Sequence, residues 1–234
     1  MQLFYGTAIE GNMIILSEQE SGHCAKVLRM KAGNVIDVTN GNGYFYKGII
    51  RVLHDKRTII DIIETIPSKP LPYQLNLYVA LTKHTDRVEW MLEKCVEIGL
   101  TSFTPIITNR TERTKIRMDR LNSIALSAMK QSVKAWLPQI NPVCKFEDII
   151  KSLNSGTKLI AHCLNDDNKI SLTNIKMEIL SHIFIGPEGD FTIEEVNMAK
   201  LNGFQATNMG TSRLRTETAG VMACSFMYWY NINT

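Results

Sequence analysis

Two strand–loop–helix units near the carboxyl end constrain the fold of this chain more than any other feature of its sequence. In the first unit, residues 183–185 form an apolar, β-favouring run that Gly186 and Pro187 bring to an end. Thr192 then precedes two glutamates, a pattern typical of a helix N-terminus, where carboxylates meet the positive end of the helix dipole. The unit therefore predicts a strand, a glycine-containing loop and a helix in direct succession.

The second unit follows the same order. Gly203 is expected to end the preceding helix, and residues 204–209 are expected to form a short strand. The chain then turns at Gly210, passes two arginines and enters an apolar helix near Glu217. Two adjacent units of this kind favour an α/β sheet with both loops at the carboxyl ends of its strands.

Loops in that position are where open α/β sheets bind ligands, and glycine lets a ligand approach the backbone closely. An ordinary β-turn over residues 186–189, with Pro187 at its second position, is the alternative interpretation of the first loop. In the second loop Arg213, Arg215 and Glu217 crowd together with hydroxyl side chains. Such a cluster needs polar or anionic partners, so the pair of loops predicts a ligand site.

The chain from residue 73 onward alternates predicted strands and helices, as a mostly parallel sheet with crossover helices does. The predicted strands cover residues 75–81, 102–108, 158–163, 181–185 and 205–209, and the longer helices cover residues 86–98 and 117–136. Residues 67–72 contain three prolines, which cannot continue a strand ladder and favour an extended linker. We therefore expect two domains, residues 1–68 and 73–234.

The first of these domains has the pattern of a small β-barrel. Residues 34–39 alternate in polarity, Asn-Gly-Asn-Gly at 40–43 is a hairpin signal, and residues 44–52 form the return strand. Residues 58–66 are a further β-branched run, and several short strands joined by such turns favour a barrel. Residues 23–33 are basic and are expected to be partly helical.

Composition places the chain among globular proteins without membrane spans. Of 234 residues, 44% are hydrophobic, and the net charge of +3 permits nucleic-acid binding without arguing for it. The five cysteines are scattered with no C-x-x-C pair, which favours free thiols in a reducing cytoplasm. The histidines have no metal-binding spacing, so no metal is expected, and no signal peptide or transmembrane segment is recognisable.

Two motifs are together specific enough to indicate a family. Ile-Gly-Pro-Glu-Gly at 185–189 and Arg-Leu-Arg-Thr-Glu-Thr-Ala at 213–219 resemble motifs of the bacterial 16S rRNA uracil-N3 methyltransferases, a branch of the SPOUT class. Similar stretches occur at 93–99, 108–113 and 130–134, so the resemblance covers nearly the whole chain. It implies an α/β fold: a SPOUT-type, mostly parallel sheet with a C-terminal knot, preceded by a small PUA-like β-barrel that binds RNA.

The chain departs from the family pattern at three positions. Asp190 stands where a second glycine is usual, which concerns the backbone path after Gly189. Lys130 and Lys134 stand where the family usually has glutamate and arginine. A lysine at 134 keeps the charge but lacks the bidentate fork of arginine, so a phosphate contact there would be looser.

The resemblance implies that the late glycine loops hold S-adenosyl-L-methionine in a bent form, largely through backbone groups. The implied cofactor-binding residues are Leu164, Gly186, Pro187, Glu188, Gly189, Met209, Gly210, Leu214, Arg215, Thr216, Thr218 and Ala219. Methylation of uridine N3 requires removal of a weakly acidic proton, and Arg213 or Arg215 could stabilise the resulting charge on uracil. Glu217 could act as the base; capping of backbone amides at the start of its helix is the alternative.

Two basic clusters are the predicted RNA-binding surface, because phosphate neutralisation dominates nucleic-acid affinity. The clusters and one further lysine comprise Lys26, Arg29, Lys31, Arg110, Arg113, Lys115, Arg117, Arg120 and Lys134. We expect the RNA substrate to lie between the two domains. Solvated charged faces are the alternative for both clusters.

The expected partners follow from the resemblance: 16S rRNA in the assembled or assembling small ribosomal subunit, and a second copy of this chain. Residues 219–230 are apolar round most of the predicted helix, which favours burial on more than one side, in a homodimer or between elements of one chain. A non-catalytic RNA-binding protein of ribosome assembly is the alternative function. An enzyme of the same class acting on tRNA is a third.

Overall fold

The computed structural model describes residues 2–166 and 168–232. The chain divides into two units. The first contains the chain up to Pro70 together with Leu126–Leu137, and the second contains Leu71–Ala125 and the chain from Pro138 onward.

A closed five-stranded barrel forms the first unit. Its strands are β1 (Leu3–Glu10), β2 (Met13–Leu16), β3 (Val35–Thr39), β4 (Tyr44–Val52) and β5 (Ile59–Pro67). They close in the order β1-β2-β5-β4-β3, with β1 and β3 parallel and the other neighbours antiparallel. Alternate residues point inward, so Phe4, Ile14, Val38 and Ile60 fill the barrel. The predicted barrel and hairpin are confirmed.

Short helical turns connect β2 to β3. Ser17 caps α1 (Glu18–Gly22) by accepting the N–H of Glu20, and a π-helical turn (His23–Val27) follows. Arg29 has a left-handed φ of 51° just after this turn. The partly helical character expected for residues 23–33 is therefore confirmed.

The segment 126–137 packs on the hairpin turn of the barrel. Gly43 N–H donates to the Ala135 carbonyl at 2.8 Å, and Leu137 N–H donates to the Gly41 carbonyl at 2.9 Å. Gly43 has a φ of 88°, and a Cβ there would lie 2.3 Å from the Trp136 ring. Glycine is thus required at this position for both its conformation and its lack of a side chain.

The predicted helix 117–136 is wrong at its carboxyl end. Helix α3 (Met118–Gln131) stops five residues earlier, because Val133 adopts a left-handed φ of 53° and Lys134 N–H bonds to the Met129 carbonyl. The residues beyond then bond to the barrel hairpin instead of continuing the helix. The helical pattern of residues 117–136 is local, so it could not show that the barrel hairpin would bind the backbone groups at its end.

The second unit is built on an eight-stranded sheet. Its strands are β6 (Gln74–Ala80), β7 (Ser102–Ile107), β8 (Gln139–Ile140), β9 (Cys144–Lys145), β10 (Thr157–Ala161), β11 (Ile170–Ser171), β12 (Leu180–Ile185) and β13 (Gln205–Asn208). The strand order of this sheet is β11-β13-β10-β12-β6-β7-β8, with β9 also pairing with β7. Within the described residues, the strand pairs of this sheet are parallel.

Helix α3 begins in this unit and ends in the first. The α-helices that lie wholly within the described part of the second unit are α2 (Thr85–Ile98), α4 (Phe146–Ser152), α5 (Ile193–Leu201) and α6 (Thr216–Ile232). Gly99 ends α2, as predicted. A 3-10 turn covers Leu172–Asn174. The five predicted strands and the helix over 86–98 are confirmed to within two residues at each end, whereas α4 and the two-residue strands were not predicted.

Central strand β12 is buried over residues 181–185, since it lies between β10 and β6 and is covered on both faces. On one face Phe184 stacks on Tyr78 with ring centroids 4.3 Å apart, and Phe146 and Phe204 meet it edge-on. The predicted class, a barrel followed by a mostly parallel α/β sheet, is confirmed, while the knot stays a prediction. Among the described helices, none has the length and apolarity to cross a bilayer.

Candidate functional site

A cavity of about 610 Å³ opens where β10, β12 and β13 end and α6 begins. The carboxyl ends of parallel strands share one edge of a sheet, so the loops after these strands meet there. Nine of the predicted cofactor-binding residues line the cavity: Gly186, Pro187, Glu188, Met209, Gly210, Leu214, Arg215, Thr216 and Ala219. The cavity thus brings both glycine loops together, and binding of the cofactor there stays a prediction.

Three residues of the predicted cofactor set lie outside this lining. Leu164 packs against the apolar core beside β12. The Gly189 carbonyl accepts a hydrogen bond from Arg110 Nη1 at 2.7 Å, and a Cβ on Gly189 would meet the Arg110 side chain. Thr218 is exposed on the first turn of α6. Their proposed contacts with the cofactor remain predictions.

The first glycine loop folds tightly beneath the cavity. A Cβ on Gly186 would lie 3.1 Å from the Phe191 ring, which is fully buried, so the absence of a side chain at Gly186 lets the loop pass close to the core. Asp190 N–H donates to the Pro187 carbonyl at 2.9 Å. The turn therefore starts at Pro187, one residue later than the turn interpretation of the sequence placed it. It coexists with a ligand cavity, so the two interpretations do not exclude each other.

Helix α5 begins with a complete capping box. The Thr192 hydroxyl accepts the N–H of Glu195, and the Glu195 carboxylate accepts the N–H of Thr192. The other Glu195 oxygen accepts the N–H of Asn109 at 2.8 Å, which ties the loop after β7 to the same corner. The predicted helix start is confirmed. The buried Glu195 side chain holds the end of the glycine loop that leads into α5.

The predicted catalytic residues occupy different surroundings. Arg213 and Arg215 line the cavity, whereas Glu217 does not and is only 13% exposed at its side chain. Its carboxylate lies 3.8 Å from Nη1 of Arg87, which itself lines the cavity. Sequence reasoning missed Arg87. The available signal was its place in the first turn of α2, the helix that follows β6, which is the neighbour of β12.

Cavity residues from the loop after β10 were also missed. His162 is buried, and within the described chain both of its ring nitrogens lack a hydrogen-bond partner. Burial lowers the pKa of His162, and the nearby Lys169 ammonium lowers it further. The imidazole is therefore neutral near pH 7. Cys163 and Lys169 complete this wall.

Comparison with known proteins agrees with this architecture. Residues 69–228 match the model of an RNA methyltransferase domain, and residues 16–63 match that of an RNA methyltransferase PUA domain. The chain belongs to the RNA methyltransferase family. Membership confirms the resemblance found in the two loop motifs.

Relatives of similar length support the same assignment. The chain is 28% identical to the ribosomal RNA small subunit methyltransferase E of Aquifex aeolicus, over 97% of this chain and 99% of that protein. Among solved structures, a probable rRNA-methyltransferase from Porphyromonas gingivalis is 35% identical, with a TM-score of 0.88 over 100% of this chain and 99% of that one. A ribosomal RNA small subunit methyltransferase E from Neisseria gonorrhoeae, bound to S-adenosyl methionine, is 27% identical, with a TM-score of 0.87 over 98% of each chain.

The predicted RNA-binding residues are exposed, with the exception of Lys134. Several have acidic neighbours: Lys26 pairs with Asp55, Arg117 with Asp119 and Arg120 with Glu89. Arg113 Nη1 donates to the Lys83 carbonyl at 3.4 Å. Arg110, also exposed, donates to the Gly189 carbonyl. Arg29, Lys31 and Lys115 are exposed cations as well.

Lys134 differs from the rest of this set because it is partly buried, and that burial lowers its pKa. Lys130, the other lysine that departs from the family pattern, pairs with buried Glu20 within the barrel unit. The opposite charge of Glu20 accounts for a lysine at that position.

Proposed function

We propose that this protein is an S-adenosyl-L-methionine-dependent methyltransferase that methylates N3 of a uridine in 16S ribosomal RNA. The observation that carries the proposal is the single cavity that collects both glycine loops together with Arg213 and Arg215. Family membership supplies the reaction class, and relatives named as small-subunit enzymes support the substrate. A ribosomal substrate in turn places the protein in the cytoplasm.

The cavity fits the proposed cofactor in size and charge. Its volume of about 610 Å³ is in the usual range for cofactor sites. Glu188 lines it and complements a sulfonium or an ammonium group, while the arginines complement a carboxylate. Gly186 leaves the backbone of the loop open to approach. When bound, the cofactor supplies the electrophilic methyl group.

The residues of this chain would make uracil N3 nucleophilic through charge. Four cationic side chains, Arg87, Lys169, Arg213 and Arg215, line the cavity against two carboxylates. A net positive site lowers the pKa of a bound acid, so it favours the N3 anion. Arg213 and Arg215 are the proposed stabilisers of charge on the uracil oxygens.

The position of Glu217 favours an orienting role over the role of the base. It lies outside the cavity lining, and its neighbour Arg87 offers it a cationic partner. Its place in the first turn of α6 also suits a carboxylate near a helix N-terminus. We therefore assign Glu217 to holding Arg87 and the start of α6.

The decisive experiment supplies isotopically labelled cofactor to the purified protein with small ribosomal subunits, naked 16S rRNA or tRNA from a strain lacking the gene. We expect label on one uridine of 16S rRNA by mass mapping, with loss of activity in Arg215→Ala. Label in tRNA alone would favour the tRNA enzyme. No cofactor binding at millimolar concentration by calorimetry would favour the non-catalytic assembly protein.

We also propose that the protein is a homodimer built on α6. The face of α6 that contains Ala219, Ala223 and Met227 is buried within the chain, while Met222 and Trp229 are 39% and 62% exposed on another face. Aromatic and methionine side chains are enriched in interface cores. Replacement of Phe226 and Trp229 by glutamate should give monomers with weakened cofactor binding. A monomer mass for the unmodified protein at micromolar concentration, by light scattering, would refute the dimer.

A further inference from the structure

The loop 162–164 contributes His162 and Cys163 to one wall of the cavity, and its backbone is held by charged side chains. Cys163 N–H donates to Asp190 Oδ2 at 2.7 Å. Lys169 Nζ donates to the carbonyls of His162 at 3.2 Å and Leu164 at 2.6 Å. The strand ladder of β10 ends at Ala161, so these side chains take over where the sheet stops.

Asp190 makes its contact from an unusual backbone conformation. Its φ of 64° lies in the left-handed region, which aspartate tolerates better than most residues. Three hydrogen bonds hold it there: its N–H donates to the Pro187 carbonyl, Oδ1 accepts the N–H of Phe191 at 2.8 Å, and Oδ2 accepts that of Cys163. A glycine could adopt the same φ but would lack both carboxylate contacts.

The two charged side chains share the peptide group between His162 and Cys163, because Asp190 binds its N–H and Lys169 binds its carbonyl. The Asp190 carboxylate accepts one backbone N–H, and the Lys169 ammonium donates to two backbone carbonyls. The anionic side chain therefore holds the loop through a donor and the cationic one through acceptors. Both residues line the cavity. The loop after β10 is therefore held by Asp190, which lies in the loop after β12, and by Lys169, the residue before β11.

We propose that Asp190 is a positioning residue which, with Lys169, clamps loop 162–164 in the geometry that binds the cofactor. The inference rests on the proposed function for the identity of that ligand. The clamp pre-organises the backbone groups of the wall, so that binding does not have to order them. Asp190 thereby does more than fill a glycine position, because its carboxylate joins the loop after β12 to the loop after β10.

The test compares Asp190→Gly, Asp190→Asn and Lys169→Met with the unmodified protein by calorimetry with S-adenosyl-L-methionine. Asp190→Gly keeps the left-handed backbone but removes both carboxylate contacts, so we expect at least about tenfold weaker binding. Asparagine has one acceptor oxygen, so it can serve only one of the two N–H groups and should give an intermediate loss. Asp148→Asn, which changes an exposed carboxylate on α4, is the matched control and should bind normally.

Two readouts separate positioning from general stability. Hydrogen exchange at the Cys163 amide should accelerate in Asp190→Gly without cofactor, while protection in β12 and the midpoint of thermal unfolding stay near those of the unmodified protein. The double variant Asp190→Gly/Lys169→Met should lose less affinity than the two single losses combined, because both residues hold one loop.

The outcomes distinguish the clamp from the function on which it rests. Unchanged affinity in Asp190→Gly, beside normal binding by the unmodified protein, would overturn the clamp alone. Absence of binding by the unmodified protein would overturn the proposed function, and the exchange rate of the Cys163 amide would still decide whether Asp190 holds the loop. Should Asp190→Gly not fold, full affinity in both Asp190→Asn and Lys169→Met would overturn the clamp.

Discussion

The Thr216 hydroxyl donates a hydrogen bond of 2.9 Å to the carbonyl of Gly186. Both residues are buried, and 30 positions of sequence separate them. The bond joins the first residue of α6 to the loop after β12, and so brings together the two motifs that the sequence singled out. A buried carbonyl needs a donor, and the Thr216 hydroxyl supplies it.

Replacement of Thr216 by valine should therefore weaken both the fold and the site. The change leaves the Gly186 carbonyl unpaired at nearly constant side-chain shape, so we expect a loss of about 1–3 kcal/mol in the free energy of unfolding. Urea titration measures this loss, and calorimetry with S-adenosyl-L-methionine should show weaker binding. Thr216→Ser retains the donor and should recover most of both. Equal stability of the valine and serine variants would show that the bond contributes nothing.

Val133 is expected to be a site where a substitution stabilises the protein. Its φ of 53° is unfavourable for a β-branched residue by about 1–2 kcal/mol, and the side chain is 41% exposed. Glycine removes this strain, at an entropic cost of about 0.5–1 kcal/mol, so Val133→Gly should raise the free energy of unfolding slightly. Val35→Gly on β3, at an exposed position with ordinary φ, should lower it. A destabilised Val133→Gly would contradict the assignment of strain.

Two buried histidines should make stability depend on pH. Burial lowers the pKa of His162 and of His182 below the ordinary value of 6.5. The unfolded chain therefore binds more protons than the folded one below about pH 6.5, so stability falls as the pH drops through that value. The fall continues until the folded-state pKa values are reached.

The slope identifies the groups responsible. Each histidine contributes at most about 1.4 kcal/mol per pH unit in that window. Urea titrations at several pH values should show a shallower slope for His162→Gln and for His182→Gln, whatever their stability at pH 8. An unaltered slope in both buried-site variants would show that other groups carry the pH dependence.

Lys115→Ala should weaken RNA binding without affecting cofactor binding. Lys115 is an exposed cation of the predicted RNA-binding surface. Loss of one phosphate contact should reduce the slope of log affinity against log salt by about one. Lys94→Ala is the control, because the Lys94 ammonium already pairs with Glu93 and Glu97 on α2. Filter binding with 16S rRNA at several salt concentrations measures both, and equal slopes for the two variants would contradict the predicted surface.

Much of the site could be predicted because its determinants are local. The apolar run before Gly186 and the capping pattern at Thr192 and Glu195 depend on residues a few positions apart. Gly43 likewise supplies the positive φ of the barrel hairpin from within the turn itself. In such cases the backbone preference of a residue and its nearest neighbours decide the conformation.

Sequence alone therefore determined the strand–loop–helix order, the hairpin barrel and the pair of motifs that make the cavity. Only the tertiary structure placed Arg87 beside Glu217, ended α3 at Gln131 and directed the Asp190 carboxylate to the Cys163 amide. These features depend on groups far apart in the chain, which compete for or complete one another's hydrogen bonds once the sheet and barrel have formed. Periodicity and motifs do not specify such pairings, because the local backbone preference of each residue is the same whether or not its distant partner is present.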